Sequence, residues 1–279
     1  MKKLEKQQLI QILSVVIIFM IISMVYIKWQ YNQSRKYVVF EPIETEVLPL
    51  SQIVTSDILT DENGYKSYID PETGITAKLG IDVSSHQGTI DWDKVADAGV
   101  EFAIIRVGYR GYSLGLLNLD SMFHENIQGA IDAGLEVGVY FFSQAISIDE
   151  AIDEANFVLE EIKDYDLQYP IVYDLEKIDY DDYRTSDLTS EEKTDFAMAF
   201  CGRILNEGYE AMIYANLTWA MQQFELREIM NYPIWFAQYS NTPDFVHPFE
   251  IWQYTQSGVV DGISTSVDLN LDFSGKYGM

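Results

Sequence analysis

The sequence has very little cysteine and histidine, and each shortage excludes a class of protein. Cys201 is the single cysteine among 279 residues, so the chain cannot form a disulfide bond within itself. Its apolar neighbours predict a packed thiol and not a nucleophile. The histidines are His86, His124 and His247, and they form no His-x-His or His-Glu-x-x-His arrangement. We therefore expect no histidine-rich metal centre, with an all-oxygen Mg²⁺ or Ca²⁺ site as the remaining metal alternative.

Positive charge is also scarce, and it is unevenly placed. The chain has 18 basic and 44 acidic residues, a formal net charge of −26. This balance argues against nucleic acid as a partner, because phosphate binding depends on clustered lysine and arginine. Residues 1–36 contain six of the basic residues and only one acid, Glu5. The strongly acidic part of the chain therefore begins after residue 36.

The longest hydrophobic run lies near the amino terminus, from Leu9 to Ile27. Nineteen residues span about 28 Å as a helix, close to the thickness of the hydrocarbon core of a bilayer. Lysines flank the run, Trp29 follows it, and no small-x-small cleavage site is present. We predict a transmembrane signal anchor with residues 1–8 as a cytoplasmic tail, and a removed signal peptide is the alternative.

Residues 28–79 are predicted to be a linker that ends in a hairpin. The two arms are Tyr65–Ile69 and Ile75–Leu79, around the turn Asp70-Pro71-Glu72-Thr73-Gly74. A turn with proline early and glycine late is typical of such a connection. The main domain is predicted to cover residues 80–279.

Strand and helix patterns alternate from Gly80 onward, with three similar joints between helix and strand. Each joint has a glycine that ends a helix, two linking residues and then an apolar strand, at Gly99, Gly134 and Gly208. Two long helices are each predicted to begin with a capping box, Ser147 with Glu150 and Thr189 with Glu192. Repeated βα units predict a parallel sheet. Beyond residue 230 three strands follow one another too closely for full helices: Ile234–Gln238, Ile251–Tyr254 and Ser266–Leu269. The pattern predicts an irregular (β/α)5(β)3 TIM-like barrel, with an open doubly wound sheet as the alternative.

The stretch from Tyr169 to Glu176 is predicted to be a buried strand that ends in two acids. Side chains alternate along a strand, so Asp174 and Glu176 point the same way. Close like charges do not both ionise cheaply, so we expect one acid to keep its proton near neutral pH while the other stays an anion. Cleavage of a glycosidic bond uses such a pair. The simpler interpretation is that Asp174 caps the next turn and Glu176 is solvated.

Two further acids are predicted to join this pair. Catalytic groups of a βα barrel lie at the carboxyl ends of the strands, where we place Asp82 on the first strand and Asp268 on the last. These strands are neighbours in a closed barrel, so their acids should meet opposite Asp174 and Glu176. Aromatic residues at the strand ends are predicted to bind sugar rings, with core filling as the alternative. The predicted binding residues among them are Tyr109, Tyr140, Tyr214, Trp235 and Tyr254. Phe141, Phe142, Tyr239 and Trp252 lie at the same strand ends, and alternation means that not all of these side chains can line the site.

Six segments of the chain form a recognisable set. They are Gly80-Ile81-Asp82-Val83-Ser84 with Gln87-Gly88, Phe102–Arg110, Gly138–Phe142, Tyr173-Asp174-Leu175-Glu176, Trp252-Gln253-Tyr254 and Val267-Asp268-Leu269-Asn270. Together, over residues 80–273, they resemble glycoside hydrolase family 25, the Chalaropsis-type lysozymes. The resemblance implies hydrolysis of the β-1,4 bond between N-acetylmuramic acid and N-acetylglucosamine in peptidoglycan, without a cofactor. It places the general acid on Glu176 and the supporting aspartates on Asp82, Asp174 and Asp268, and it adds Gln253 to the predicted substrate-binding residues.

The resemblance also leads to expectations about mechanism and location. An Asp-x-Glu pair is similar to that of glycosidases that use the N-acetyl group of the substrate as nucleophile, and direct attack by an aspartate or inversion through water are the alternatives. We expect a single-pass protein of the cell membrane with its catalytic domain outside, acting on peptidoglycan strands, with partners in the cell-wall or secretion machinery left open. The functional alternative is a catalytically silent, membrane-anchored protein that binds glycan or acts as a scaffold.

Overall fold

The computed structural model describes Ser23, residues 48–178 and residues 183–277. The predicted cytoplasmic tail, the predicted anchor apart from Ser23, and residues 28–47 lie outside this part. No helix within the described ranges is long and apolar enough to cross a membrane. The anchor therefore stays a prediction from the sequence, while the described residues from Leu48 onward belong to one compact unit.

The strands and helices of the described residues alternate through the middle of the chain. The strands are β1 (Leu59–Thr60), β2 (Lys66–Ser67), β3 (Lys78–Val83), β4 (Phe102–Arg110), β5 (Leu117–Leu119), β6 (Glu136–Phe142), β7 (Ile171–Asp174), β8 (Ala211–Asn216), β9 (Ile234–Ala237), β10 (Ile251–Gly258) and β11 (Val267–Asp272). The helices are α1 (Trp92–Asp97), α2 (Phe123–Asp132), α3 (Ile148–Ile162), α4 (Ser190–Asn206), α5 (Leu226–Ile229) and α6 (Ser274–Tyr277).

Eight of these strands close into a barrel. Their order around it is β3, β4, β6, β7, β8, β9, β10 and β11, and β11 pairs with β3 to complete the ring. The strands from β3 to β10 in this ring are parallel, whereas β11 is antiparallel to both of its neighbours. One helix follows each of the first five barrel strands, and the last three strands follow without full helices between them. The predicted closed barrel is confirmed, and the open sheet is not observed.

Local sequence signals account for most helix boundaries. Thr189 and Glu192 form the predicted capping box at the start of α4, with each side chain accepting from the backbone of the other residue. At the start of α3, Ser147 accepts from the backbone of Glu150, but the Glu150 carboxylate accepts from Ile146 N at 3.0 Å and pairs with Arg184. The second box is therefore only half formed, because the Glu150 carboxylate contacts Ile146 N and Arg184 and not the backbone N–H of Ser147.

The barrel interior is filled by apolar side chains below its upper rim. Nine buried residues form this inner core: Phe102, Ile104, Tyr169, Val172, Met212, Tyr214, Trp235, Ala237 and Ile251. Phe102 and Tyr169 stack with their ring centroids 4.5 Å apart. A Cβ atom on Gly80 would lie 2.2 Å from the Phe102 ring, so this position accepts only glycine. Because the lower barrel is packed, a site can open only at its rim.

Residues 48–77 pack against the barrel more closely than a linker would. Ile53, Tyr68 and Ala77 belong to the core between the sheet and its outer cover. The predicted turn is present, with Gly74 N donating to Asp70 O at 2.8 Å. The two predicted arms also meet, through an antiparallel bridge between Ile69 and Thr76 and a hydrogen bond from Ala77 N to Tyr68 O at 2.9 Å. In addition, β2 in the first arm pairs with β1, and the second arm runs into β3. The first barrel strand thus begins at Lys78, two residues before the predicted domain boundary.

Candidate active site

A cavity of about 250 Å³ opens at the rim of the barrel. It is lined by Asp82, Arg106, Tyr140, Phe142, Asp174, Glu176, Tyr214, Trp235, Tyr239, Gln253, Gln256 and Asp268. All four acids predicted from the sequence therefore share one cavity with aromatic and amide side chains.

Strand direction explains how the four acids meet. Asp82 lies near the carboxyl end of β3, Asp174 ends β7, and Glu176 follows two residues later. Asp268 does not lie at a carboxyl end as predicted, because it is the second residue of β11. The antiparallel direction of β11 brings its amino end to the same rim, where Asp268 pairs in register with Asp82.

A chain of hydrogen bonds holds Asp82 in place. Gln253 Nε2 and Asn270 Nδ2 each donate to Asp82 Oδ2 at 2.9 Å. Gln253 Oε1 in turn accepts from the hydroxyl groups of Tyr214 at 3.0 Å and Tyr239 at 3.1 Å. These contacts fix the Gln253 amide orientation, so its N–H group faces the Asp82 carboxylate.

Burial raises the pKa of every acid in the cavity. It raises the pKa of Asp82 to about 6, although hydrogen bonds from Asn270 and Gln253 oppose the shift. Burial, with the charge of Asp82, raises the pKa of Glu176 to about 7 and that of Asp268 to about 8; Glu176 adds to the latter shift. The pKa of Asp174 lies well above its usual range because of burial and then the charges of Glu176 and Asp82. The cavity therefore retains protons at neutral pH.

Asp174 and Glu176 do not divide, as predicted, into one acid with a raised pKa and one with an ordinary pKa. Both Asp174 and Glu176 have a raised pKa, because burial acts on both. Asp174 Oδ1 is buried without a hydrogen-bond partner in the described part of the chain. This oxygen is free to accept a hydrogen bond from a bound molecule.

Arg106 is the cation in the cavity lining, and it was not among the predicted site residues. Its Nε donates to Asp120 Oδ2 at 2.8 Å and its Nη2 donates to Ser85 Oγ at 3.2 Å. The Arg106 charge partly opposes the rise in the pKa of Asp174. A charged residue within the apolar run Phe102-Ala103-Ile104-Ile105 and Val107 was the signal available in the sequence.

The predicted substrate-binding residues divide into two groups. Tyr140, Tyr214, Trp235 and Gln253 line the cavity. Tyr254 lies on the face of β10 that points away from the cavity, because neighbouring side chains alternate along a strand and Gln253 points into the cavity. Tyr109 also lies outside the cavity, 38% exposed, with its ring centroid 5.6 Å from the Arg106 guanidinium.

Three further lining residues were not among the predicted binding residues, although Phe142 and Tyr239 were recognised as aromatic residues at strand ends. Phe142 shares a face of β6 with Tyr140 because the two are two residues apart, so alternation could have identified it. Tyr239 comes just after β9, in a loop whose position the sequence does not specify. Gln256 lies beyond a register shift in β10 that changes the simple alternation.

The remaining reactive residues lie elsewhere. Cys201 is buried in the outer core, and burial raises the pKa of its thiol, which confirms the predicted packed role. His124 lies on α2 and contacts Tyr165 OH at 3.0 Å. Within the described residues, no group of three or more His, Cys, Asp or Glu side chains has an arrangement that could hold a metal ion.

Sequence relatives include two bacterial lysozymes and a probable lysozyme of a eukaryote. The chain is 27% identical to the autolytic lysozyme of Clostridium acetobutylicum over 192 residues, which are 68% of this chain and 54% of the relative. It is 26% identical to lysozyme M1 of Streptomyces globisporus over 203 residues, 68% of this chain and 66% of the relative. A match of 28% identity to a probable family 25 lysozyme of Dictyostelium discoideum covers 70% of this chain and 91% of that protein.

Solved structures give the same result. The modular autolysin LytC of Streptococcus pneumoniae, in complex with a synthetic peptidoglycan ligand, superimposes with a TM-score of 0.65 at 26% identity. This match covers 77% of the chain and 51% of LytC. A bacterial lysozyme of Streptomyces coelicolor superimposes with a TM-score of 0.60 at 26% identity, covering 69% of the chain and 90% of that structure.

The chain spans about half the length of the Clostridium relative and of LytC, so the similarity concerns one domain of those proteins. The family described as Glycosyl hydrolases family 25 matches residues 81–263. That range includes Asp82, Asp174 and Glu176, and it ends five residues before Asp268. Together with the closed barrel and the acidic cavity at its rim, this match shows that the chain belongs to glycosyl hydrolase family 25.

Proposed function

We propose that the protein is a peptidoglycan hydrolase that cleaves the β-1,4 bond between N-acetylmuramic acid and N-acetylglucosamine. The observation that carries the proposal is the convergence of four carboxyl groups with raised pKa values in one aromatic-lined cavity. Removing carboxyl groups from water costs folding free energy, so packing alone gives no reason to gather four of them at one rim. Family membership supplies the reaction class.

Glu176 is the proposed proton donor for the leaving oxygen. It is only half-buried, so its carboxyl group is open to a bound glycan, whereas Asp174 lies deeper and is 5% exposed. Its pKa of about 7 keeps much of it protonated at neutral pH. A general acid with a pKa near the working pH combines the correct protonation state with ready proton transfer.

Asp174 is the proposed partner of the substrate acetamido group. Its unpaired Oδ1 can accept a hydrogen bond from the acetamido N–H, and this bond favours the ionised carboxylate. The carboxylate then orients the acetamido oxygen toward the anomeric carbon and offsets the developing positive charge. Asp82, with a pKa of about 6, adds negative charge on the facing side of the cavity, where Asp268 pairs with it in register.

The stereochemistry of the product tests this route. Attack by the acetamido oxygen followed by attack of water inverts the anomeric carbon twice, so the first product keeps its β configuration. NMR spectroscopy recorded during cleavage is expected to show the β anomer first. An α anomer as first product would instead support direct inversion by water.

Aromatic side chains are the proposed platform for the sugar rings. Trp235 lies between Tyr140 and Tyr214, with centroid distances of 6.0 and 4.9 Å and ring planes near perpendicular. The Trp235 Nε1 group donates to Asn270 Oδ1 at 2.8 Å, which fixes the indole ring. Trp235 is 1% exposed and Tyr214 is 6% exposed, so the half-buried Tyr140 ring that they support is the face proposed to contact a sugar ring.

We also propose that the run from Leu9 to Ile27 anchors the protein in the cell membrane with the barrel outside. Its length and its flanking lysines support this proposal. An acidic enzyme would be repelled by anionic wall polymers, and an anchor would retain it near its substrate. The full chain should resist alkaline carbonate extraction from membranes and be digested by protease added to intact protoplasts; extraction by carbonate would contradict anchoring.

Mass spectrometry of purified peptidoglycan after incubation with the full chain tests the activity. Disaccharide-peptides with N-acetylmuramic acid at the reducing end are expected from the parent chain and not from Glu176→Gln. Reducing-end N-acetylglucosamine would contradict the proposed bond. Binding of glycan without any product would favour the silent scaffold.

A further inference from the structure

A groove lies beside the acidic cavity, on the outer side of strand β10. Its volume is about 530 Å³. Sites for small ligands have volumes of about 300–1,000 Å³, so the groove is large enough to hold a ligand. Tyr239 lines both the groove and the cavity, so the two spaces meet at this residue.

The groove has two walls from distant parts of the chain. One wall is the hairpin formed by β1, β2 and their connection, and it contributes Asn63 and Lys66. The other wall is the upper end of β10, which contributes Ser257. The first wall precedes residue 81, where the family match begins. This chain therefore adds a wall that the matched family domain does not include.

Strand β10 separates the cavity from the groove. Gln253 and Gln256 line the cavity, whereas Tyr254 and Ser257 line the groove. A register shift between Gln253 and Thr255 sets which side chains face each side. Tyr239 bridges the top of this wall through its hydrogen bond to Gln253 Oε1 at 3.1 Å. Tyr239 is therefore the residue at which the two spaces adjoin.

Lys66 is held in the groove wall without a carboxylate partner among the described residues. Its Nζ donates to Thr60 Oγ1 at 3.1 Å and to Asn241 O at 3.0 Å, and it lies 5.5 Å from the Trp252 ring centroid. These two acceptors use two of the three N–H donors of the ammonium group. The third donor can serve an oxygen atom of a bound molecule.

The lining of the groove is neutral apart from Lys66. Within the described chain, no aspartate or glutamate lines it, although the chain has 44 acids. It offers the Tyr254 and Tyr239 rings together with amide and hydroxyl groups from Asn63, Asn241 and Ser257. Aromatic faces combined with uncharged donors and acceptors fit the rings, hydroxyl groups and acetamido groups of an amino-sugar chain.

We propose that this groove binds the glycan strand where it continues beyond the acidic cavity, so that the segment before the barrel supplies additional saccharide subsites. The inference rests on the proposed function, since it extends the same substrate. It predicts that the protein favours long glycan strands over short fragments.

The test compares peptide-free peptidoglycan fragments of two lengths, a tetrasaccharide and a decasaccharide, with the full chain. Ser257→Ile fills the groove with a branched aliphatic group that suits a strand, and Asn63→Ala removes an amide from the hairpin wall. Ser264→Ile is the matched control, because Ser264 is also exposed and does not line the groove. The measurement is the ratio of kcat/KM for the decasaccharide to that for the tetrasaccharide.

We expect Ser257→Ile to lower this ratio about fivefold and Asn63→Ala about twofold, whereas Ser264→Ile leaves it unchanged. Equal ratios in Ser257→Ile and the parent chain overturn the groove inference and leave the proposed function intact. If the parent chain cleaves neither fragment, the proposed function fails, and the groove is decided by calorimetry of decasaccharide binding. There, Ser257→Ile must weaken binding about fivefold relative to Ser264→Ile, and equal binding overturns the inference.

Discussion

The five βα units and the three closing strands form two sides of one barrel that are covered in different ways. Helices follow each strand of the first side, whereas β9, β10 and β11 have no full helix between them. The segment before the barrel covers part of the second side: Tyr65 OH donates to Val259 O at 2.8 Å, and the Tyr68 and Phe273 rings are 5.3 Å apart. The helical side delivers acids from carboxyl ends, and the closing side delivers Asp268 from an amino end.

This difference shows that the rim of the barrel, rather than strand direction, defines the site. A helix over β10 would occupy the space where the hairpin and the groove now lie. The closing strands therefore contribute an acid to the cavity and leave room for a second binding surface beside it. We expect the helical side, which carries Glu176, to contribute more to catalysis than the closing side, which carries Asp268.

The largest effect is expected on the helical side, at Glu176. Glu176→Gln should lower kcat about a thousandfold, because an amide cannot donate the proton that the leaving oxygen needs. Glu250→Gln is the matched control: Glu250 also has a pKa raised to about 7 by burial, but it lies at the opposite end of the barrel. Steady-state assay of glycan cleavage measures both. A Glu176→Gln enzyme that retains a tenth of the activity contradicts the assignment.

A smaller loss is expected on the closing side, at Asp268. Asp268→Asn should lower kcat about fiftyfold, because it removes a carboxyl group that can ionise beside the developing cation, without removing the proton donor. Asp272→Asn is the control, because Asp272 lies at the other end of β11, where its carboxylate accepts a hydrogen bond from Tyr169 OH. Equal losses in Asp268→Asn and Glu176→Gln would remove the distinction between the two sides.

The seam between the two sides, where β3 meets β11, should control the pH profile. Activity is expected to fall as pH rises through about 7, because Glu176 then loses its proton. The negative charge of Asp82 helps to raise the pKa of Glu176, so Asp82→Asn should move this fall to lower pH. Profiles of kcat/KM against pH measure the shift. A fall at unchanged or higher pH in Asp82→Asn would show that Asp82 does not act on the donor.

The smallest effect concerns stability and Asp174. Its pKa is raised in the folded protein, so the folded state holds a proton that the unfolded chain releases above about pH 4. The free energy of unfolding therefore decreases as pH rises from that value. Asp174→Asn removes this penalty and should be more stable than the parent by about 1–2 kcal/mol at neutral pH, with a smaller gain at pH 4.

Urea unfolding at the two pH values measures this gain. Asp195→Asn is the control, because Asp195 is exposed on α4. A gain in Asp174→Asn that stays constant between acidic and neutral pH contradicts the proposed ionisation penalty. An active but more stable variant would instead show that Asp174 is not needed for catalysis.

Much of the fold could be predicted because its signals are local. The three joint glycines adopt φ angles of 89° at Gly99, 83° at Gly134 and 86° at Gly208, where a side chain would be strained. The capping box at Thr189 started α4 at the predicted residue. The packing of residues 48–77 was not predictable, because it depends on contacts with β10, far along the chain.

The four acids of the site were found because they stand out in short apolar strands, but their surroundings were not. Arg106 was overlooked although it interrupts an apolar strand. Tyr254 and Gln253 were both predicted to bind substrate, although neighbouring side chains in a strand face opposite sides. Tyr239 and Asn270 act through hydrogen bonds to residues on other strands. Such bonds link residues that no local pattern connects.

The sequence by itself determined the alternation of strands and helices, the eight barrel strands and the identity of the four acids, because periodicity and turn chemistry act between near neighbours. The tertiary structure decided that β11 runs antiparallel, that burial raises the pKa of all four acids, and that a hairpin from outside the family match forms a groove beside them. These properties depend on which distant segments meet and on how much water they exclude, and neither is written in any one stretch of the chain.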